Sequence, residues 1–257
     1  MPQLPADEGG HRWLALGEDA LPPGEQWLAP GEAAILAGLR YTKRRTEYLL
    51  RRFVTKQAVA SVIGEATDPG VLARIEVRNA PSGAPYVVVD GDPLALGVSI
   101  SDRAGWAVCV TCPSDSPAVG CDLELVEPRT PGFVTDFLTA AEQRLVAARP
   151  AGDQRDAAAN LIWSAKESAL KVLRTGLRRD TRSVEVALAA PRDDGWGALT
   201  VRAVEGRVFP GWWRRDGRFL LTVAAELATP PPVALRDPGV LGSAAPRHSW
   251  LDRPLYG

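Results

Sequence analysis

Val119-Gly-Cys-Asp-Leu-Glu-Leu-Val126 alternates with a period of two. Asp122 and Glu124 therefore project from one face of a strand, while Val119, Cys121, Leu123 and Leu125 occupy the other. Two adjacent carboxylates on an otherwise apolar strand repel one another unless a cation lies between them. Oxygen ligands with no nearby His or Cys suit Mg2+ or Mn2+ better than zinc. The competing reading is an edge strand that shows both carboxylates to water, and the strand alone does not separate the two. Some forty residues on, Trp163-Ser-Ala-Lys-Glu-Ser-Ala-Leu-Lys171 falls in a helical pattern from about Ala157 to Arg174, with Gly176 as its stop. Glu167 and Lys171 stand at i and i+4. They form either an ordinary helical ion pair or a third carboxylate for the same cation beside a lysine for a phosphate.

Working outward, Trp13-Leu-Ala-Leu16 reads as a first strand, and Pro22, Pro23, Gly24, Pro30 and Gly31 mark a loop. Glu32 to about Ile63 reads as one long helix, with Leu39, Leu49, Leu50 and Phe53 on a shared face and Gly64 as its end. Within 40–56, Arg40, Lys43, Arg44, Arg45, Arg51, Arg52 and Lys56 face the single acid Glu47, a local charge of +6. Such a helix repels itself, which favours an anion site over a merely solvated face. Strands are expected at Ile75–Arg78, Tyr86–Asp90, Gly97–Ser101 and Trp106–Thr111. Thr139-Ala-Ala-Glu142 has capping-box spacing and opens a helix to about Ala148. Strands resume at Ser183–Leu188, Ala198–Val204 and Arg218–Glu226. Each half thus holds a long helix and several short strands, an α+β fold with a faint internal echo between Ala104-Gly-Trp-Ala-Val-Cys-Val and Asp216-Gly-Arg-Phe-Leu-Leu-Thr-Val. Pro230 to Gly257 lacks periodicity and reads as an extended tail, with Trp250 and Tyr256 as candidate anchors. The expected divisions are 11–117, 118–229 and the tail 230–257.

Composition narrows the class. With 257 residues, 46% hydrophobic and 24% charged, the chain is globular rather than disordered. A net charge of −1 argues against a uniformly basic nucleic-acid binder. No uncharged stretch approaches the ~20 residues that span a bilayer. MPQLPADEGG has neither a basic nor an apolar leader region, so a cytoplasmic protein is expected. Cys109, Cys112 and Cys121 are too few for a disulfide framework. Cys109 and Cys112 fall on opposite faces of a strand and read as buried structural thiols, and the only histidines are His11 and His248. Of 30 basic residues four are lysines, Lys43, Lys56, Lys166 and Lys171, confined to two segments. Lysine suits phosphate neutralisation and, unlike arginine, can also release its proton.

The pair of segments at 119–124 and 163–171 resembles the two signature motifs of the 4'-phosphopantetheinyl transferases, (V/I)G-x-D-x-E and W-x-x-K-E-(A/S)-x-x-K. Length and upstream segments are similar to the monomeric, surfactin-synthetase-type branch. Gly83-Ala-Pro85, Val98-Ser-Ile-Ser101, the basic helix and Phe137-Leu-Thr-Ala-Ala-Glu142 add to the likeness, which covers roughly Trp13 to Leu227. The resemblance implies two similar α+β subdomains related by pseudo-twofold symmetry, each a long helix on a small, mostly antiparallel sheet. It implies Mg2+-dependent transfer of 4'-phosphopantetheine from coenzyme A to a serine of an apo acyl or peptidyl carrier protein, releasing 3',5'-ADP. Asp122, Glu124 and Glu167 would hold the metal, with Mn2+ as the alternative ion. Glu167 would take the serine proton, directly or through water, and Lys171 would serve the departing phosphate, with Lys166 also on phosphate. Arg40, Lys43, Lys56, Ser101 and Arg103 would serve the coenzyme A 3'-phosphate. Carriers of polyketide synthases, nonribosomal peptide synthetases or fatty-acid synthesis are the candidate partners; nucleic acid and membrane are not.

Two positions depart from the family pattern. Asp102 stands where a histidine commonly contacts the 3'-phosphate, and Ala84 replaces the lysine of a Gly-Lys-Pro segment. Arg103 or the helix arginines are expected to offset Asp102. A degenerate relative that binds carrier proteins or nucleotides without catalysis is the alternative. An unrelated Mg2+ enzyme with an Asp-x-Glu pair would leave the Trp163–Lys171 segment unexplained.

Overall fold

The computed structural model describes residues 10–113 and 118–247. Residues 1–9, His248 and the two candidate tail anchors, Trp250 and Tyr256, lie outside the described residues. The described chain forms two compact units, one of residues 10–113, 233–240 and 245–247, the other of 118–232 and 241–244.

The first unit runs β1 (Arg12–Gly17), α1 (Pro30–Ala37), α2 (Thr42–Ile63), α3 (Pro69–Arg74), β2 (Ile75–Asn79), β3 (Pro85–Val89), β4 (Asp92–Pro93), β5 (Leu96–Arg103) and β6 (Trp106–Pro113). The second runs β7 (Val119–Leu125), α4 (Pro131–Phe137), α5 (Ala140–Ala147), α6 (Asp153–Val172), β8 (Val184–Pro191), β9 (Gly197–Ala203), β10 (Val208–Asp216) and β11 (Phe219–Ala225). The chain then returns to the first unit, where β12 (Val233–Ala234) pairs in parallel with β1. The first unit holds the sheet β12-β1-β6-β5 and the smaller β2-β3-β4; the second holds the antiparallel sheet β7-β11-β10-β9-β8. The architecture is the expected α+β.

In the first unit, Leu50, Phe53, Val54 and Ala58 of α2 pack with Leu14, Val98, Ala107 and Cys109 of the sheet. In the second, Ala165, Ala169 and Leu170 of α6 pack with Val201, Phe209 and Ala224. Cys109, Cys112 and Cys121 are buried and form no disulfide, and burial raises the Cys112 thiol to about 11.

Several elements depart from the sequence expectation. The single helix Glu32–Ile63 is two, broken between Gly38 and Tyr41, where the Tyr41 backbone is extended. Arg45 Nη1 donates to Leu36 O at 2.6 Å, satisfying a carbonyl that helix continuation would otherwise have bonded. β10, Val208–Asp216, forms where no strand was expected and passes through Pro210-Gly211; a Cβ on Gly211 would lie 2.0 Å from Val223 O, so the glycine is what lets β11 approach. Part of the expected tail is also ordered, through the β1–β12 pairing.

Each unit repeats one arrangement. Glu142 at the N-terminus of α5 accepts from its cap residue Thr139 N (2.7 Å) and from Val186 N (2.9 Å), and pairs with Lys166 of α6 at 2.7 Å. Glu32 of α1 likewise accepts from Ala29 N (3.0 Å) and Val77 N (2.9 Å), and pairs with Lys56 of α2. The same short helix, sheet and long helix are thereby tied by one acid and one lysine in both halves.

His11, on the edge of β1, is only 1% exposed, and burial lowers its pKa from 6.5 to about 4. The unfolded chain then binds the extra proton first, so stability is intact above pH 6.5 and falls as the pH drops toward 4, by up to about 3 kcal/mol. Urea unfolding at pH 7 and pH 4.5 is expected to show this loss, and a His11→Gln variant to show a smaller one. An identical pH dependence in the variant would remove His11 from the account.

Candidate active site

β7 lies at the edge of the second unit's sheet, and α6 packs across it. Gly120 sets that approach: a Cβ there would lie 2.0 Å from Ser168 O and 3.0 Å from Lys171 Cβ. Behind the contact, the buried hydroxyls of Ser164 and Ser168 meet Thr222 Oγ1 of β11 at 2.9 and 2.7 Å, which fixes the rotation of α6. Trp163, Glu167 and Lys171 follow one another at i, i+4 and i+8 and form a half-buried stripe on α6.

Against that stripe stand Asp122 and Glu124. Lys171 Nζ donates to Asp122 Oδ1 at 3.0 Å and to Cys121 O at 2.7 Å. Burial works against the Lys171 ammonium, but Asp122 and then Glu167 outweigh it and hold its pKa above the ordinary lysine value. Glu124 accepts from Trp163 Nε1 on Oε1 and from Arg129 Nη2 on Oε2, both at 3.0 Å. Glu167 Oε1 is buried without a hydrogen-bond partner. Burial first, and Asp122 next, raise its carboxyl to about 7. An orphaned carboxylate oxygen near a second carboxylate is a site that a divalent cation would relieve.

Asp122 and Glu167 therefore fit a hard cation. Glu124 does not complete a cage with them as it stands. Among the described residues no group of three His, Cys, Asp or Glu side chains is gathered to hold a metal ion. The convergence of three carboxylates expected from the two segments is thus not preassembled, because both Glu124 oxygens are already engaged by donors.

Two of the four lysines leave the phosphate-binding set. Lys166 is fully buried against Glu142 and donates to Thr181 O at 2.9 Å and Val184 O at 2.7 Å. Lys56 is fully buried against Glu32 and donates to Trp27 O at 2.8 Å and Leu72 O at 3.0 Å. All three hydrogens of each ammonium are spent inside the fold, and burial lowers both pKa values despite the paired acid. The lysine skew marked both correctly as special but for a structural reason.

In the first unit, Lys43 and Arg103 line one pocket together with Glu18, Glu47 and Asp102. Ser101 is buried on β5, and Arg40 is exposed between α1 and α2. The local charge of +6 on the basic segment is met by acids from other elements: Arg45 pairs with Glu25 at 3.4 Å, Arg52 with Glu32 at 3.8 Å and Arg51 with Asp102 at 2.5 Å. A helix arginine, Arg51, thus stands against Asp102. Lys43 lies 3.8 Å from Glu47, whose carboxyl is raised by burial and by Asp102. The carboxylates give this pocket a mixed rather than a plainly cationic lining.

Sequence reading missed Arg129 and Asn160. Arg129 donates to Asn160 Oδ1 at 2.6 Å as well as to Glu124, and its guanidinium lies 4.5 Å over the Phe133 ring. The only available signal was a lone arginine in the loop Val126-Glu-Pro-Arg-Thr130 just after the strand.

Residues 118–224 match the family model of the 4'-phosphopantetheinyl transferase superfamily. A 4'-phosphopantetheinyl transferase of Bacillus subtilis is 29% identical over 143 residues, 56% of this chain and 59% of that protein. Holo-acyl-carrier-protein synthases of Shouchella clausii and a Geobacillus species are 37% and 36% identical over 65 and 67 residues, 25% and 26% of this chain and 56% of each relative. The chain thus spans less than two thirds of the length of these relatives. The segment that matches the 4'-phosphopantetheinyl transferase model contains Asp122, Glu124, Lys166, Glu167 and Lys171.

Proposed function

We propose that the protein transfers 4'-phosphopantetheine from coenzyme A to the serine hydroxyl of an acyl or peptidyl carrier protein, leaving 3',5'-ADP, and that it acts as a cytoplasmic monomer of the surfactin-synthetase-type branch. The observation that carries this reading is the meeting of Asp122 with Glu167 and Lys171, from a strand and a helix of the family-matched segment. Mg2+ or Mn2+ held by Asp122 and Glu167 would neutralise the diphosphate and the charge that develops on its bridging oxygen.

The chain's own groups supply the rest. Glu167, whose buried Oε1 has no hydrogen-bond partner within the fold, is the group placed to accept the serine proton, directly or through water. The serine oxygen bonds to the β-phosphorus-side phosphoryl group carrying pantetheine while the pyrophosphate P–O bond breaks toward ADP. Lys171, kept charged by Asp122, offsets the negative charge of that leaving phosphate. Arg40, Lys43, Ser101 and Arg103 remain the candidates for the 3'-phosphate, and 11–117 and 118–229 remain the proposed divisions.

Lys171→Ala is expected to lower kcat about a hundredfold with a much smaller change in coenzyme A affinity. A change in affinity alone would remove the leaving-group role. The reading itself is tested by incubating apo carriers of the polyketide, nonribosomal-peptide and fatty-acid classes with coenzyme A and Mg2+ and assaying 3',5'-ADP. Product with at least one carrier is expected; binding of carrier or nucleotide with no product from any of them would favour the degenerate alternative.

A further inference from the structure

Glu124 sits at the centre of a network whose members Arg129, Asn160 and Phe133 lie outside both signature segments. Arg129 Nη2 donates to its Oε2 at 3.0 Å, while Arg129 Nε is anchored on Asn160 Oδ1 at 2.6 Å. Asn160 is fully buried, and its amide donates to Glu127 O at 2.7 Å and Asp156 O at 2.8 Å, so it cannot follow the guanidinium if that moves. Arg129 also lies 3.6 Å from Glu127 Oε1 and 4.5 Å over the Phe133 ring. Phe133 meets Trp163 edge-on at 5.1 Å, and Trp163 donates the second hydrogen bond to Glu124. The carboxylate is thus held from both sides by donors that are themselves fixed.

We propose that Arg129 is a positioning residue that keeps Glu124 in reserve, so that a divalent cation entering at Asp122 and Glu167 gains Glu124 as a ligand only by displacing the guanidinium. The inference rests on the metal reading above. A cation and a guanidinium compete for the same carboxylate lone pairs and repel one another across a partly buried site. Arg129 therefore opposes metal entry, which is the reverse of a neutral outer partner that orients a ligand and strengthens binding.

Titration of the full chain with Mn2+, followed by the loss of the free-ion electron paramagnetic resonance signal, tests this without reference to turnover. R129Q is expected to bind Mn2+ about tenfold more tightly than the parent, with R129K staying close to it because the charge remains. When Glu124→Gln is already present, adding R129Q is expected to gain less than about threefold. Unchanged or weaker binding by R129Q, with R129K folded, overturns the clamp while leaving the metal reading in place. An equal gain with and without Glu124 overturns the reserve-ligand role. Absence of Mn2+ binding by the parent and every variant overturns both readings.

Discussion

Glu142→Ala is expected to destabilise the protein by about 3–5 kcal/mol, because it strands a buried ammonium. Lys166 Nζ lies 2.7 Å from Glu142 Oε2, and neither side chain reaches solvent. The same carboxylate accepts the Thr139 and Val186 amides, so its removal also leaves two backbone donors without a partner. Replacing both members by apolar residues, as in E142L/K166M, is expected to recover most of the lysine's share of the loss, since the burial cost of the charge disappears with the charge. Urea denaturation of the three proteins checks this. A Glu142→Ala variant within about 1 kcal/mol of the parent would show that the pair is not what joins α5 to α6. Coenzyme A titration of the folded double variant separates the structural role from the phosphate contact first expected of Lys166: unchanged affinity is the predicted outcome.

Asp122→Asn is expected to abolish measurable transfer, a loss of about a thousandfold or more, because several kcal/mol of transition-state charge stabilisation would leave with the cation. Glu167→Gln should behave alike. The two changes are nearly isosteric, and Asp122 and Glu167 lie beside the contact of β7 with α6 rather than within the apolar core. Stability should therefore change far less than turnover. Isothermal titration with Mn2+ and steady-state kinetics on both variants are the checks. Full activity in either variant would place the metal elsewhere, and weak metal binding with normal turnover would detach the metal from the chemistry.

Much of the site was legible because its signal is local. The period of two around Asp122 and the i, i+4 spacing of Glu167 and Lys171 fix which side chains share a face, and the strand and helix both form where expected. Gly120 reads naturally once β7 is seen to touch α6. What escaped was non-local. Nothing within reach of Lys56 or Lys166 in sequence announces that Glu32 and Glu142, more than twenty residues earlier, will bury them. The +6 segment looked self-repelling only because Glu25, Glu32 and Asp102 come from other elements. Glu124 looked available because Arg129 belongs to a loop without periodicity. The fold shows the same division. The break between α1 and α2 depends on Arg45 reaching back to Leu36, and β10 depends on Gly211 admitting its neighbour. Propensity alone reads neither correctly.

The most direct measurement is the intact mass of an apo carrier protein incubated with this chain, coenzyme A and Mg2+, beside a reaction containing Asp122→Asn. Group transfer predicts a gain of about 340 Da located on one serine, present with the parent chain and missing with the variant. A carrier mass that stays unchanged across all three carrier classes, while the chain still binds coenzyme A and Mn2+, would contradict it.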